Sequence, residues 1–412
     1  MSDPIRLAVL GGSGVATPEL VDALARANAR PAMHLSLIGR EEGKLAAVGK
    51  MAQRLAEKSS PPITVSMHSD VREGLTGARY ILNQVRVGGY AGRLVDETFP
   101  HQFGIPGEET VGPGGMNMAL RTIPVVVELS RIAEQVAPDA LMINLTNPSS
   151  IVQYAIQKTT RVKVVSICDL PMMAEQLLSD LLKVPVNELA CRYTGMNHFG
   201  WVTGVRSRGR EMMQQVMEKM AETNVSPVEM DILRALGVIP TSYFKYIYHA
   251  NRMLADQQSR QSRAKELIDL EAEILADYRS SDRFEKPASL VKRNAVWYEH
   301  MIVPLLIAHI NDTGERHYLQ VRNGNALPFL PEEAIVEVPC LVRRDGFEAQ
   351  PYADGLPPDL EALLLTNATC EMLWAEAVLE HSYPKALRAL LLNHLVSNYD
   401  QAKGILDTIW EK

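Results

Sequence analysis

Ile5-Arg6-Leu7-Ala8-Val9-Leu10-Gly11-Gly12-Ser13-Gly14-Val15-Ala16-Thr17-Pro18-Glu19 is the stretch whose reading decides the fold. Residues 5–10 form an apolar run of the length and composition of a buried parallel strand. The glycines after it allow backbone N–H groups to approach a pyrophosphate at a helix N-terminus. Thr17-Pro18-Glu19 reads as a helix start: a hydroxyl cap, then proline at the first helical position, then an acid in the first turn. Alone, Gly-Gly-Ser-Gly is only close to the G-x-G-x-x-G pattern and also suits a plain strand-to-helix turn. Its place at the head of an alternating series favours nucleotide binding.

That series continues with strands over 34–38, 63–67 and 80–87, a helix over 41–58, and further apolar runs at 141–145 and 162–167. Strands alternating with helices predict a doubly covered parallel sheet. Beyond Arg192 the pattern changes to long helical stretches (211–222, 258–278, 298–310, 360–379, 384–394 and 399–410) around a few strands such as 335–342. The expectation is therefore α/β: a Rossmann-type domain over 1–190 and an α+β domain over 191–412. The chain of 412 residues is 46% hydrophobic, which is ample for two lobes with buried cores. A net charge of -7 without a lysine or arginine block argues against nucleic acid or an anionic membrane as partner. The run 7–12 is too short to span a bilayer, and a cytoplasmic location is expected. Cys168, Cys191, Cys340 and Cys370 are scattered, as for reduced thiols; the last three read as buried small hydrophobes.

The end of the second strand carries Gly39-Arg40-Glu41, where NAD sites usually hold an acid for the ribose hydroxyls. Arg40 is suited to a 2′-phosphate and Glu41 to a ribose. NAD is the first expectation and NADP the second. Farther on, Cys168 and His198 each close a predicted strand and supply a thiolate and an imidazole suited to a divalent transition metal. The plain alternatives are a core cysteine and a buried, hydrogen-bonded histidine beside Phe199 and Trp201.

Four segments have to be taken together: 84–97, with Gln84-Val85-Arg86-Val87-Gly88-Gly89-Tyr90-Ala91-Gly92-Arg93 followed by Asp96-Glu97; Gly107-Glu108-Glu109-Thr110-Val111-Gly112-Pro113-Gly114-Gly115; Asn144-Leu145-Thr146-Asn147-Pro148; and the Cys168…His198 pair. With 239–246, 311–315 and 330–340 they closely resemble glycoside hydrolase family 4, the NAD- and metal-dependent glycosidases. The resemblance runs over nearly the whole chain. It implies a Rossmann domain like that of lactate and malate dehydrogenases and a homodimer or homotetramer. It also implies hydrolysis that begins with oxidation at C3 of the sugar. The proton at C2 then becomes acidic, a base removes it, the C1 substituent is eliminated and water adds back. The substrate implied is a phosphorylated disaccharide or other glycoside, with Mn2+ or another divalent ion as cofactor.

By the same resemblance Cys168 and His198 are the metal ligands and Tyr243 the base at C2. From the strand–loop–helix pattern and the end of the second strand, Gly11, Gly12, Ser13, Gly14, Arg40 and Asn147 are the expected contacts of the dinucleotide. By the resemblance, Arg93, Glu109, Asn147, Asn197 and Arg263 line the sugar site, with Arg93 and Arg263 the candidates for a sugar phosphate. Asp169 falls where the α-specific branch has an acid for the leaving oxygen and the 6-phospho-β-glucosidase branch has asparagine; it reads equally as a cap for the helix near Pro171. Arg263 lies in a charged helical stretch whose default is a solvated face. Tyr246 and Tyr248 read as packing, and residues 112–115 as a hinge or a turn. Most segments favour a 6-phospho-β-glucosidase. A 6-phospho-α-glucosidase and a hydrolase of unphosphorylated hexosides or uronosides are the nearest alternatives, and a 2-hydroxy-acid dehydrogenase or a non-catalytic nucleotide-binding protein stand farther off. Two departures from the family pattern matter: Ser13-Gly14-Val15-Ala16 replaces the usual Gly-Ser-x-Tyr before Thr-Pro, and Gly39-Arg40 replaces the acid.

Overall fold

The computed structural model describes residues 3–226, 228–280, 285–350 and 356–410. Six strands, β1 (Ile5–Leu10), β2 (Met33–Ile38), β3 (Ile63–His68), β4 (Tyr80–Asn83), β5 (Leu141–Asn144) and β6 (Lys163–Ser166), pair in parallel in the order β3-β2-β1-β4-β5-β6. This is the doubly wound order, whose direction of winding reverses between β1 and β4. Ligands of such sheets bind in the crevice beyond the carboxyl ends of the strands at that reversal.

The rest of the chain extends the same sheet in antiparallel fashion. Strands β7 (Leu189–Met196), β8 (Phe199–Ser207), β9 (Arg210–Glu211), β10 (Ile239–Pro240), β11 (Arg316–Arg322), β12 (Ile335–Arg343) and β13 (Gly346–Ala349) continue it as β6-β11-β12-β7-β8-β10, with β13 beside β12 and β9 beside β8. The junction of β6 and β11 rests on the single register pair Gln320 and Ser166. Side chains reinforce it: the Ser149 hydroxyl donates to Gln320 Oε1 at 2.8 Å and Gln320 Nε2 donates to Glu337 Oε1 at 2.9 Å. The parts expected on either side of residue 190 thus share one sheet and one large apolar cluster that runs from Leu7 to Leu364 and beyond.

Several local expectations need correction. Thr17 is the first residue of the helix Thr17–Arg26, not its cap; Ala16 takes the cap position, and the Thr17 hydroxyl instead accepts from Gln84 Nε2 at 3.0 Å. The fourth strand ends at Asn83, because Gln84 turns away to bond the glycine loop and Gly88 and Gly89 take left-handed backbone angles. The single helix expected over 258–278 is two, Ala250–Ser259 and Arg263–Ser280. Residues 112–115 open a 25-residue helix, Gly112–Val136. Gly114 is required there: a Cβ would lie 2.1 Å from the Glu108 carbonyl oxygen and 2.4 Å from that of Asp96.

The helix Pro358–Glu380 is long and apolar enough by length and composition to cross a membrane. Here it is a core helix, with Leu364, Ala368, Trp374 and Ala377 buried and the Trp374 indole donating to the Met116 carbonyl at 2.9 Å. All four cysteines are free thiols, and Cys191, Cys340 and Cys370 are buried as expected.

Candidate active site

The crevice at the strand ends is walled on one side by the glycine loop. Gly11 has φ +77°, and a Cβ there would lie 2.9 Å from the Gln84 carbonyl oxygen, so only glycine lets β1 turn so tightly against the segment after β4. Gly12 N–H donates to Ile38 O at 2.8 Å, which ties the loop to the end of β2. The helix Thr17–Arg26 that follows has no side chain bonded to its cap, so its positive end is open toward the loop. A dinucleotide fits this cradle: bare backbone, an open helix terminus and the winding reversal coincide. Residues far along the chain hold the loop in place. Tyr278 donates to Val15 O at 2.7 Å, and Tyr298 donates to Gln84 Oε1 at 2.8 Å. Arg40 projects into solvent after β2, and Ser13 packs under Gly39. Asn147 follows β5, where Asn83, Asn144 and Ser166 form a polar ladder across the strand ends.

Opposite the loop, Cys168 lies two residues beyond β6, with Asp169 next to it. Asp169 stands at the cap position of the helix Leu170–Leu182, yet its carboxylate makes no capping bond; it lies 3.8 Å from the Cys168 sulfur. Burial raises its pKa. Burial likewise pushes the Cys168 thiol up, aided by the charges of Glu337 and Asp169, while Asn197 pulls it back. A divalent cation is the charge such a buried thiolate would need.

Asn197 and His198 form the two-residue turn between β7 and β8, where Met196 pairs with Phe199. His198 takes φ +61°, an uncommon angle for a side chain other than glycine or asparagine. It is 6% exposed, and burial drives its pKa down to about 3 against the opposing pull of Glu109, so the imidazole is neutral at physiological pH. Tyr243 stacks on it with ring centroids 3.8 Å apart and planes 13° apart. Burial raises the Tyr243 phenol far above its ordinary range, and the charges of Glu108 and Cys168 add to this. Asn197 Nδ2 is buried, and among the described residues it meets the Cys168 thiol and no nitrogen or oxygen acceptor. Among the described residues no three His, Cys, Asp or Glu side chains gather as a metal set, so a cation on Cys168 and His198 would keep positions open for substrate. The donor set, one thiolate and one imidazole, fits a soft-to-borderline divalent ion.

Glu109 brings the next layer. It is 7% exposed and pairs with Arg86 and, at 2.7 Å, with Arg93, which also bonds Glu97 at 2.6 Å. Burial alone would raise the Glu109 carboxyl; Arg86 and Arg93 bring it below the usual range. Arg263 sits apart: half exposed, it pairs with Glu266 at 2.7 Å, and only its neighbour reaches the cluster, through the Ala264 N–H bond to Glu97 at 2.9 Å.

Sequence reasoning missed several residues that build this site. Thr110 bonds His198 Nδ1 at 2.7 Å, Gln257 clamps Gly107 through both amide atoms, and Glu337 lies buried beside Cys168. A carboxylate inside the apolar run Val336-Glu337-Val338 was the available signal for the last; Thr110 and Gln257 carried none. A small cavity of about 50 Å³ adjoins His198 and Tyr243, and Asn367, Glu371 and His394 also line it.

The profile of the family 4 glycosyl hydrolases matches residues 7–184, and that of their C-terminal domain matches residues 193–396. The chain belongs to glycosyl hydrolase family 4. A probable 6-phospho-β-glucosidase of Bacillus subtilis is 32% identical, covering 100% of this chain and 97% of the relative. The 6-phospho-β-glucosidase of Thermotoga maritima, solved with NAD and glucose 6-phosphate, superposes with a TM-score of 0.90 at 26% identity, over 99% of this chain and 97% of that one. A 6-phospho-α-glucosidase from gut microorganisms, solved with NAD and Mn2+, gives 0.87 at 25% identity, again over 99% and 97%. The lactate dehydrogenase of Eimeria maxima, at 14% identity and a TM-score of 0.54 over 97% of this chain and 98% of that one, shares the fold alone. The expected family 4 membership and Rossmann-type fold are therefore both found.

Proposed function

We propose that this family 4 chain hydrolyses 6-phosphoglucosides, β-linked ones in the first place, with NAD and a divalent cation. The observation that carries the reading is the stack of Tyr243 on His198 beside Cys168 and Glu109, at the crevice of a doubly wound sheet. Residues 1–190 are taken as the dinucleotide-binding unit and 191–412 as the part that completes the substrate site. Gly11, Gly12, Ser13, Gly14, Arg40 and Asn147 would hold NAD, and Cys168 and His198 a metal ion such as Mn2+. Bound there, NAD supplies a hydride acceptor at sugar C3, and the cation supplies a Lewis acid at the adjoining oxygens.

The chain's own residues do the rest. Tyr243 removes the C2 proton; its phenol is held so high by burial that it becomes a useful base only with positive charge beside it. Asp169, whose raised pKa keeps a proton longer than an exposed aspartate would, donates to the leaving oxygen. Glu109, fixed by Arg86 and Arg93, presents a rigid carboxylate to the sugar hydroxyls, with Asn147 and Asn197 as further hydrogen-bonding groups. Arg93 and Arg263 are the candidates for the 6-phosphate. The β reading is supported by the 32% identity to the Bacillus subtilis relative. An α-linked substrate is the second reading, favoured by Asp169 beside Cys168.

A panel of p-nitrophenyl α- and β-glucosides, with and without 6-phosphate, tests this under reducing conditions with NAD and Mn2+. Hydrolysis is expected only for 6-phosphates and only when both cofactors are present. Hydrolysis undiminished without nicotinamide and metal would overturn the proposal.

A further inference from the structure

The orientation of His198 is set from outside the site by a short chain of hydrogen bonds. Glu108 Oε2 accepts from the backbone N–H of Thr110, from the backbone N–H of Val111 at 3.3 Å and from the Thr110 hydroxyl at 2.6 Å. With two backbone N–H groups already donating to it, the ionised Oε2 accepts from the hydroxyl as well, which commits the single Thr110 hydroxyl proton to Glu108. The same hydroxyl oxygen lies 2.7 Å from His198 Nδ1 and can therefore only accept there. Nδ1 carries the ring proton, and Nε2 carries the lone pair.

The ring has no easy way out of this arrangement. It is buried, it stacks on Tyr243, and its backbone is held at φ +61° in a two-residue turn. A histidine free in water favours the opposite form, with the proton on Nε2, which cannot ligate a cation through that atom. Glu108 and Thr110 lie at the start of the helix Gly112–Val136, whose close packing on the Glu108 carbonyl at Gly114 keeps this segment in register with the turn.

We infer that Thr110, anchored by Glu108, is a positioning residue that sets the His198 tautomer and so presents Nε2 to the divalent cation. The inference rests on the metal reading of the site given above. The outer partners of metal-bound histidines act in this way, and removing them commonly weakens metal binding 10- to 100-fold.

The test uses the full-length protein, free of metal and labelled with 15N at histidine, with His198 assigned from the signal lost in His198→Asn. The proton on Nδ1 is expected in the wild type. In Thr110→Val, a substitution of equal size, the proton should move toward Nε2, and Zn2+ affinity measured by calorimetry should fall by about 10- to 100-fold. Thr110→Ser should restore both, and retained NAD binding serves as the check that Thr110→Val is folded. A wild-type His198 protonated at Nε2, or a Thr110→Val protein with unchanged tautomer and affinity, would overturn the inference. If the Nδ1 proton is found but Zn2+ leaves the Nε2 signal unmoved, the hydrogen-bond chain stands and the metal reading falls.

Discussion

Replacing Tyr243 by phenylalanine removes one oxygen and keeps the ring that stacks on His198 at 3.8 Å. The packing of the turn that carries Asn197 and His198 should survive, and the folding free energy should change by less than about 1.5 kcal/mol, as for other swaps that conserve volume. Chemistry at C2 should not survive. A positioned base contributes about 10²- to 10⁴-fold, or roughly 2.7–5.4 kcal/mol of barrier at 1.36 kcal/mol per decade. Neither Glu109 nor His198 is ready to replace it: Glu109 is engaged by two arginines, and His198 is held by Thr110. The assay is exchange of the C2 hydrogen of glucose 6-phosphate with deuterated water in the presence of NAD and Mn2+. Exchange should fall by that factor in Tyr243→Phe, while reduction of NAD on mixing with sugar, which precedes proton removal, should persist. Wild-type protein without added metal should also lose exchange, because burial holds the phenol protonated. Wild-type exchange rates in Tyr243→Phe would refute the assignment of the base.

Three further outcomes are expected. Cys168→Ser should raise the Mn2+ concentration for half-maximal exchange by more than about 100-fold, beyond the effect of losing an outer partner, and an unchanged requirement would remove Cys168 from the metal site. Gly114→Ala should cost about 1–3 kcal/mol in urea unfolding, because its new methyl meets two backbone carbonyls that cannot yield separately; stability equal to the wild type would contradict the packing of the helix on Glu108. Glu371 is buried, and its carboxyl is pushed up to about 7 despite bonds from Ser150 and Asn367. A raised folded pKa favours folding below the unfolded value of about 4.5, and that contribution is lost as pH rises to about 7. Glu371→Gln should therefore gain stability relative to the wild type between pH 5 and pH 8, by on the order of 3 kcal/mol at most; parallel pH profiles would show that Glu371 does not titrate in this range.

The parallel half of the sheet was legible because its inner strands β1, β4 and β5 are short, largely apolar runs before a glycine or a polar turn, buried on both faces, while the edge strand β3 keeps alternating polar residues. The junction with the antiparallel half was not. It depends on one pairing, Gln320 with Ser166, and on Ser149 and Glu337, which are polar residues that no periodicity marks. In the site, Cys168, His198 and Tyr243 stood out by residue type, and the structure brings them together. Thr110 escaped notice although it lies in a segment singled out by its glycines, since a threonine declares its role only through its partners. Arg93 and Arg263 show the converse. Their residue type suits a phosphate, but nothing in the sequence told that Arg93 pairs with two carboxylates or that Arg263, on the solvated face its charged stretch suggests, pairs with Glu266.

The coupling between the halves has a consequence for how the dinucleotide end works. A loop with three glycines in four residues stiffens itself poorly, because the freedom that lets the backbone approach a phosphate also lets it wander. Here the stiffness comes from the other half: Tyr278 binds Val15, Tyr298 binds Gln84, and Gln84 in turn binds both Gly11 and Thr17. Lys44, on the helix after β2, is paired with Glu271 at 2.7 Å. The helices that carry Tyr278 and Tyr298 lie in the chain between Tyr243 and β11, so the cofactor loop is tied by hydrogen bonds to the C-terminal half. This arrangement suits the reaction proposed above, in which hydride would leave and return to the same sugar, since cofactor and sugar would then have to hold one geometry from the first step to the last.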